Sequence, residues 1–336
     1  TGQNHDASMA LIDGQNILWA AHSERYTRIK NDPLLNTDMV KEMYEYGTPK
    51  AAVWFERPFS KSLRKLYSGE RPWWCNPREE LKRVGLGHLS LERVGHHESH
   101  AAAGFYTSQF PDAAILVVDA IGEWDTVSIW RANHYGLTRV WSMRYPDSMG
   151  LFYTAFTQYL ELKPNEEEYI LMGMAALGKP TLVEKLKEDF FDEFSAPYIK
   201  LRHNLHRGCR WWDAPQGVSK YDIAASVQAI MEEYLLATAQ YMRKIITSDN
   251  LVFMGGCALN CSANPIAYKY FDNMWIYPAP GDAGSPFVNN FDFCFAKILF
   301  EFPEIGSEIL NFTCISVTNM PKISNGQKIE NTSSFK

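Results

Sequence analysis

The sequence predicts an α/β fold, and three features carry that expectation. Residues 113–118, Ala-Ala-Ile-Leu-Val-Val, form a continuous apolar run of the kind buried on both faces of a central sheet, and the run ends on Asp119. Residues 221–246 hold the longest helical pattern and lead into a second short apolar run, 251–254. That run ends on Gly255-Gly256, a strand-to-helix turn of the phosphate-binding type, because glycine lets a ligand approach the backbone and a helix start offers free N–H groups.

Composition bounds the class. A chain of 336 residues can bury a large core, and 46% hydrophobic with 21% charged residues argues against long disorder. A formal net charge of −6 gives no general attraction for nucleic acid or an anionic membrane, which argues against both as partners. No apolar run approaches the roughly 18 to 20 residues of a membrane span and no signal peptide opens the chain, so a cytoplasmic protein is expected. The six cysteines, at 75, 209, 257, 261, 294 and 314, show no Cys-x-x-Cys pair and read as reduced, buried thiols. Cys257 and Cys261 read as packing residues of a Gly/Ala-rich turn rather than zinc ligands.

The elements follow in order. The chain opens on a threonine within a loop, so an initiator methionine and part of a first strand are expected to be missing. Residues 9–13 and 17–21 flank an Asp13-Gly14 turn and predict a β-hairpin, with the polar loop Asn4-His5-Asp6-Ala7-Ser8 at its entrance. Helical or irregular stretches are expected over 38–46 and 77–84, a strand over 51–55, and an aromatic turn at Pro72-Trp-Trp-Cys75. After the 113–118 strand, residues 127–130 and 137–143 alternate like antiparallel strands joined near His134-Tyr-Gly136, which makes a meander. Ser148 is a plausible N-cap for a helix to Leu160, a polar loop from Lys163 reaches the apolar segment 170–177, and 179–191 is amphipathic. Residues 198–212 are basic and aromatic, and 274–277 form a last strand that runs into Pro278-Ala-Pro-Gly-Asp282. From Ser285 onward no sustained period is present.

One short stretch organises the functional reading. His96-His97-Glu98-Ser99-His100 places three of the nine histidines within five residues. If a helix starts here, His96 and His100 stack on one face a turn apart, near enough to share a metal ion. A surface helix start with incidental histidines is the competing reading of this segment alone. The strand-end carboxylates Asp119 and Asp282 and the Gly-Gly turn would gather at the same edge of an α/β sheet, where ligands sit. Such a mixed imidazole and carboxylate set suits Fe(II), Zn or Mn rather than Ca or Mg.

These residues carry a resemblance. Asn4-His-Asp-Ala-Ser8, Ser23-Glu-Arg25, His96-His-Glu-Ser-His-Ala101, Asp119-x-x-Gly-Glu123, Gly150-Leu-Phe-Tyr153, Glu168-Tyr-x-x-Met-Gly-Met-Ala175, Gly255-Gly-Cys-Ala-Leu-Asn260 and Pro278-Ala-Pro-Gly-Asp-Ala-Gly284 occur in family order. Together they resemble the carbamoyltransferases of nodulation-factor, cephamycin and tobramycin biosynthesis. The resemblance implies an actin-like ATPase fold of the sugar-kinase and chaperone superfamily, with two related α/β subdomains around a cleft. Expected divisions are 1–145, 146–286 and an atypical tail, 287–336, with the family's YrdC-like domain absent and the Gly/Ala-rich helix after Asp282 replaced by Ser285-Pro-Phe-Val-Asn-Asn.

It further implies transfer of a carbamoyl group from carbamoyl-adenylate, made from carbamoyl phosphate and ATP, to a hydroxyl of a small-molecule acceptor, beside an iron ion. Carried over, the ligands are His96, His100, Asp119 and Asp282, and His97 points elsewhere. Gly255, Gly256 and Asn260 line the nucleotide, with Glu168 near it. His5 is the candidate general base, since histidine suits proton acceptance near neutral pH, with loop capping or phosphate binding as its alternative. A separate YrdC-like protein is a candidate partner. A metal- and nucleotide-binding scaffold without independent activity is the alternative function.

Overall fold

The computed structural model describes residues 6–14, 16–70 and 76–287. They fall in one of two units, Thr1–Asp292. His5, the aromatic turn at 72–75 and the tail beyond 287 lie outside the described residues.

The amino-terminal part is built on two small sheets. β1 (Ser8–Asp13) and β2 (Asn16–His22) pair antiparallel as the Asp13-Gly14 signal predicts, with Gly14 at φ +54°. A single turn, α1 (Glu24–Thr27), and then α2 (Thr37–Tyr46) follow, the latter capped by Asn36, whose side chain accepts a hydrogen bond from Asp38 N at 2.7 Å. Strand β3 (Ala51–Phe55), α3 (Pro58–Tyr67), α4 (Pro77–Arg83) and β4 (Ser90–Val94) come next. β4 lies parallel to β3, with Val94 beside Phe55. Helix α5 (His96–Ser108) starts two residues later. Leu11, Trp19, Met39, Met43, Trp54 and Leu81 form the core of this part.

Strands β5 (Asp112–Val118), β6 (Asp125–Asn133) and β7 (Gly136–Arg144) make the expected meander. Helices α6 (Met149–Tyr159), α7 (Glu168–Ala175) and α8 (Val183–Phe190) follow, then a hairpin of β8 (Phe191–Ser195) and β9 (Tyr198–Leu201). The long helix α9 (Lys220–Ile245) leads to β10 (Asn250–Met254), α10 (Asn264–Tyr268) and β11 (Asn273–Trp275). The five-stranded sheet has the order β11-β10-β5-β6-β7, with β10 parallel to both neighbours. A meander extended on its first strand by two parallel strands makes this a mixed sheet, in the α/β class that the sequence predicts. The expected division at 145/146 does not break this sheet: β10, far beyond it, hydrogen-bonds directly to β5 before it.

Period-two geometry explains why β5 reads as unbroken apolar sequence. Ala114, Leu116 and Val118 join Phe152, Phe156, Ile230 and Phe253 on one face of the sheet. Ala113, Ile115 and Val117 join Ala101, Phe105, Val252 and Met254 on the other. Helix α5 is thereby held against the sheet, and its first turn sits beside the carboxyl ends of β5 and β10. Gly104 makes the contact close: a Cβ there would lie 2.4 Å from Val252 Cγ1. Among the described residues, no helix is long and apolar enough to cross a membrane.

Candidate metal and nucleotide site

Helix α5 begins at His96, so the four-residue spacing does place His96 and His100 on one face. Their Nε2 atoms are 3.2 Å apart. Asp119, one residue past β5, brings Oδ2 to 3.5 Å from His96 Nε2 and 3.2 Å from His100 Nε2. Asp282 opens a short 3-10 turn packed against α5, β1, β2 and β3, and its Oδ1 lies 3.2 Å from His96 Nε2 and 3.3 Å from His100 Nε2. The four donors all fall within 4.8 Å of one another.

The set fits a divalent ion. Donors at the usual distance of about 2.0 to 2.1 Å from a tetrahedral centre lie about 3.3 to 3.4 Å from each other. Five of the six donor separations here are 3.2 to 3.5 Å. Among the described residues Asp119 Oδ2 is buried and, although close to the two imidazoles, has no partner in hydrogen-bond geometry, as a carboxylate oxygen reserved for a cation would be. Burial pushes the Asp119 carboxyl up, but His100 and His96 outweigh it and hold it well below the usual carboxylate range. Burial likewise opposes charge on His96 and His100, and the Asp282 and Asp119 carboxylates prevail and raise both. Two borderline imidazoles beside two hard carboxylates make a mixed donor set that suits a first-row transition ion.

The other oxygen of Asp119 reaches the Gly-Gly turn. Oδ1 accepts a hydrogen bond from Gly256 N at 2.5 Å. Gly255 has φ +91°, and a Cβ on it would lie 2.3 Å from Val118 O, so only glycine fits between the ends of β5 and β10. Gly255 N donates to Pro280 O at 2.9 Å, which ties the turn to the segment that carries Asp282. Two further glycines make room for the site. A Cβ on Gly150 would lie 2.6 Å from Ala120 N, and one on Gly122 would lie 3.0 Å from His97 Cδ2 and 3.2 Å from His96 Cδ2.

Asn260 and Glu168 are held by neighbours. Asn260 Nδ2 donates to Gln228 Oε1 at 2.9 Å, while its Oδ1 accepts from Gln228 Nε2 and Ala263 N, both at 3.1 Å. Gln228, 5% exposed on α9, also accepts from Tyr153 OH and donates to Glu232, each at 2.9 Å. Sequence reasoning missed Gln228; its signal was a lone amide on the apolar face of the longest helix. Glu168 Oε1 accepts from Asn165 N at 2.7 Å and Thr154 Oγ1 at 3.1 Å.

The cysteines need a correction. Cys209 is buried as expected, but Cys257 is half-buried and Cys261 is exposed, because the turn after β10 carries it outward to meet Met172, Sγ to Sδ 3.9 Å. A second acid and histidine group, Asp6, His22 and Glu24, stands at the hairpin entrance. There His22 Nε2 lies 3.3 Å from Asp6 and Nδ1 3.5 Å from Glu24, and one donor atom from each of the three falls within 4.8 Å of the others.

The family profile described as Carbamoyltransferase N-terminus matches residues 50–287. The chain belongs to this family. It is 32% identical over 330 residues to an uncharacterized protein of Synechocystis, covering 83% of this chain and 54% of that one. It is 28% identical over 204 residues to nodulation protein NolO of Bradyrhizobium diazoefficiens, covering 57% of this chain and 36% of that protein. The chain thus spans about half or less of the length of these relatives. Among solved structures, component A of (R)-2-hydroxyglutaryl-CoA dehydratase from Acidaminococcus fermentans aligns at TM-score 0.45 and 12% identity, over 83% of this chain and 89% of that one.

Proposed function

We propose that this chain carries the transfer half-reaction of an O-carbamoyltransferase, moving a carbamoyl group from carbamoyl-adenylate to a hydroxyl of a small-molecule, sugar or nucleotide acceptor. Membership of the carbamoyltransferase N-terminus family supports the transferase class. The observation that carries the site is Asp119, which offers Oδ2 to a four-donor set while Oδ1 holds Gly256 of the nucleotide turn.

In this reading His96, His100, Asp119 and Asp282 hold Fe(II) or another divalent transition metal, which when bound supplies Lewis-acid neutralisation of charge on the phosphate and carbonyl. Backbone N–H groups around Gly255 and Gly256 meet the phosphate, and Asn260 and Glu168 flank the nucleotide. His5 takes the proton as the acceptor oxygen attacks the carbamoyl carbon. The bond from that carbon to the phosphate oxygen breaks and AMP leaves. The donor derives from carbamoyl phosphate and ATP, and a YrdC-like domain or separate protein supplies it.

The test gives the chain preformed carbamoyl-adenylate, or carbamoyl phosphate with ATP, and a panel of hydroxylated acceptors. Carbamoylated product from the adenylate is expected. Metal-loaded protein that transfers to no acceptor would favour a metal- and nucleotide-binding scaffold instead. The metal content of His96→Ala and Asp282→Ala should fall at least tenfold, and unchanged content would sink the ligand assignment.

A further inference from the structure

His97 adjoins His96 and is as deeply buried, at 3% exposure, yet it stands outside the four-donor set. Its Nδ1 lies 2.7 Å from Ser128 Oγ, and Trp130 Nε1 lies 2.8 Å from the same oxygen. An indole N–H can only donate, so Ser128 Oγ accepts from Trp130. Ser128 Oγ keeps a second lone pair as well as its hydrogen, so this bond alone allows either direction. The far ring nitrogen decides it, because Nε2 faces the Asp119 carboxylate, which repels a lone pair and attracts an N–H, so Ser128 donates to Nδ1. A neutral imidazole carries one proton, and with Nδ1 accepting, that proton is on Nε2.

Nε2 faces Asp119 Oδ2 at 3.8 Å, and among the described residues each of these two buried atoms has no partner in hydrogen-bond geometry. At that separation the contact is beyond hydrogen-bond length and acts as an N–H dipole on a carboxylate oxygen, in a site too dry to screen it. The ring packs beside Ser128 of β6 and beside Gly122, where a Cβ would come within 3.0 Å of its Cδ2.

We propose that Trp130 and Ser128 lock His97 as the Nε2–H tautomer, which makes it a positioning residue for Asp119 and keeps it out of the ligand set. A nitrogen bearing hydrogen has no lone pair to give a metal, so the rule that selects two histidines out of three is written on β6, away from the motif itself. Oδ1 of Asp119 is held by Gly256 and Oδ2 by the His97 dipole, which leaves the carboxylate anionic and aimed. The inference rests on the metal reading proposed above.

Two measurements on the full chain test it: ring-nitrogen NMR shifts with histidine labelled in 15N, and affinity for Zn2+ alone by competition with a chromophoric chelator. Wild type should show His97 as the Nε2–H form, and Ser128→Ala should convert it to a mixture. His97→Phe should weaken Zn2+ binding by about 10- to 100-fold. His97→Gln, which can turn an amide N–H toward Asp119, should recover most of that loss, with metal-free melting temperatures close to wild type. An Nδ1–H form in the wild type, or unchanged affinity in His97→Phe, would overturn the proposal. Should His97→Phe not fold, Ser128→Ala decides, since an unaltered tautomer there is equally fatal. A wild-type chain that takes up no Zn2+ overturns the metal reading, and the ring-nitrogen shifts still decide the tautomer.

Discussion

At the scale of single residues, environment separates side chains that the sequence leaves equal. His96, His97 and His100 are identical in type and close in sequence, but the two carboxylates raise His96 and His100, while burial pushes His97 down to about 3. Cysteines divide in the same way. Burial pushes the Cys209 thiol up to about 12, whereas Cys261 is exposed. Iodoacetamide at neutral pH should alkylate Cys261 and spare Cys209 in the folded protein, as read by peptide mass spectrometry; equal labelling would mean that the packing around Cys209 opens. His206 gives a pH signature. Burial lowers its pKa, against Glu70 and with help from Arg64 and Arg207. Because the unfolded chain binds that proton first as pH falls through about 6.5, stability is lost on the acid side of neutrality, down to the folded value. Melting temperature should therefore fall less between pH 7 and 5 in His206→Gln than in wild type.

At the scale of elements, legibility followed burial. Strand β5 was visible because both its faces are covered, and α9 because it is long enough for its period to show. Strand β4, Ser-Leu-Glu-Arg-Val, and the hairpin of β8 and β9 were missed, since charged residues on half-exposed strands mask alternation. Helix α3 inverts the usual rule: it buries Lys61, Arg64 and Lys65 and exposes Phe59, Leu66 and Tyr67. The ion pairs of Lys61 with Glu56 and of Arg64 with Glu70, both at 2.6 Å, make that burial tolerable. The Gly-Gly turn is the element on which the nucleotide reading depends. Gly255→Ala meets both a positive φ and the Val118 carbonyl, so it should cost roughly 2 kcal/mol or more in a denaturant titration and weaken nucleotide binding with it. Unchanged stability would show that the ends of β5 and β10 can part at no cost.

At the scale of the molecule, the four-donor set ties distant segments together. His100 and Asp282 are 182 positions apart and meet because α5, β5 and the turn after β11 converge on one sheet edge. A ligand bound only by the folded state stabilises it by about 2.7 kcal/mol at a hundredfold excess over Kd, so for a chain of this size chelation should lower the melting temperature by roughly 4 °C. Asp282→Ala should melt at the same temperature with or without chelator; a shift equal to that of wild type would remove Asp282 from the set. The sequence by itself determined the α/β class, the four donor residues and the Gly-Gly turn, because residue type, local period and motif order are properties of the chain read in line. Only the tertiary structure decided that the four donors share one point, that the sheet runs across the expected division at 145/146, that Asp119 joins the four-donor set to the Gly-Gly turn, and that His97 turns its Nδ1 to Ser128 instead. Those outcomes depend on distances between segments that are remote in sequence, which packing sets and local pattern does not encode.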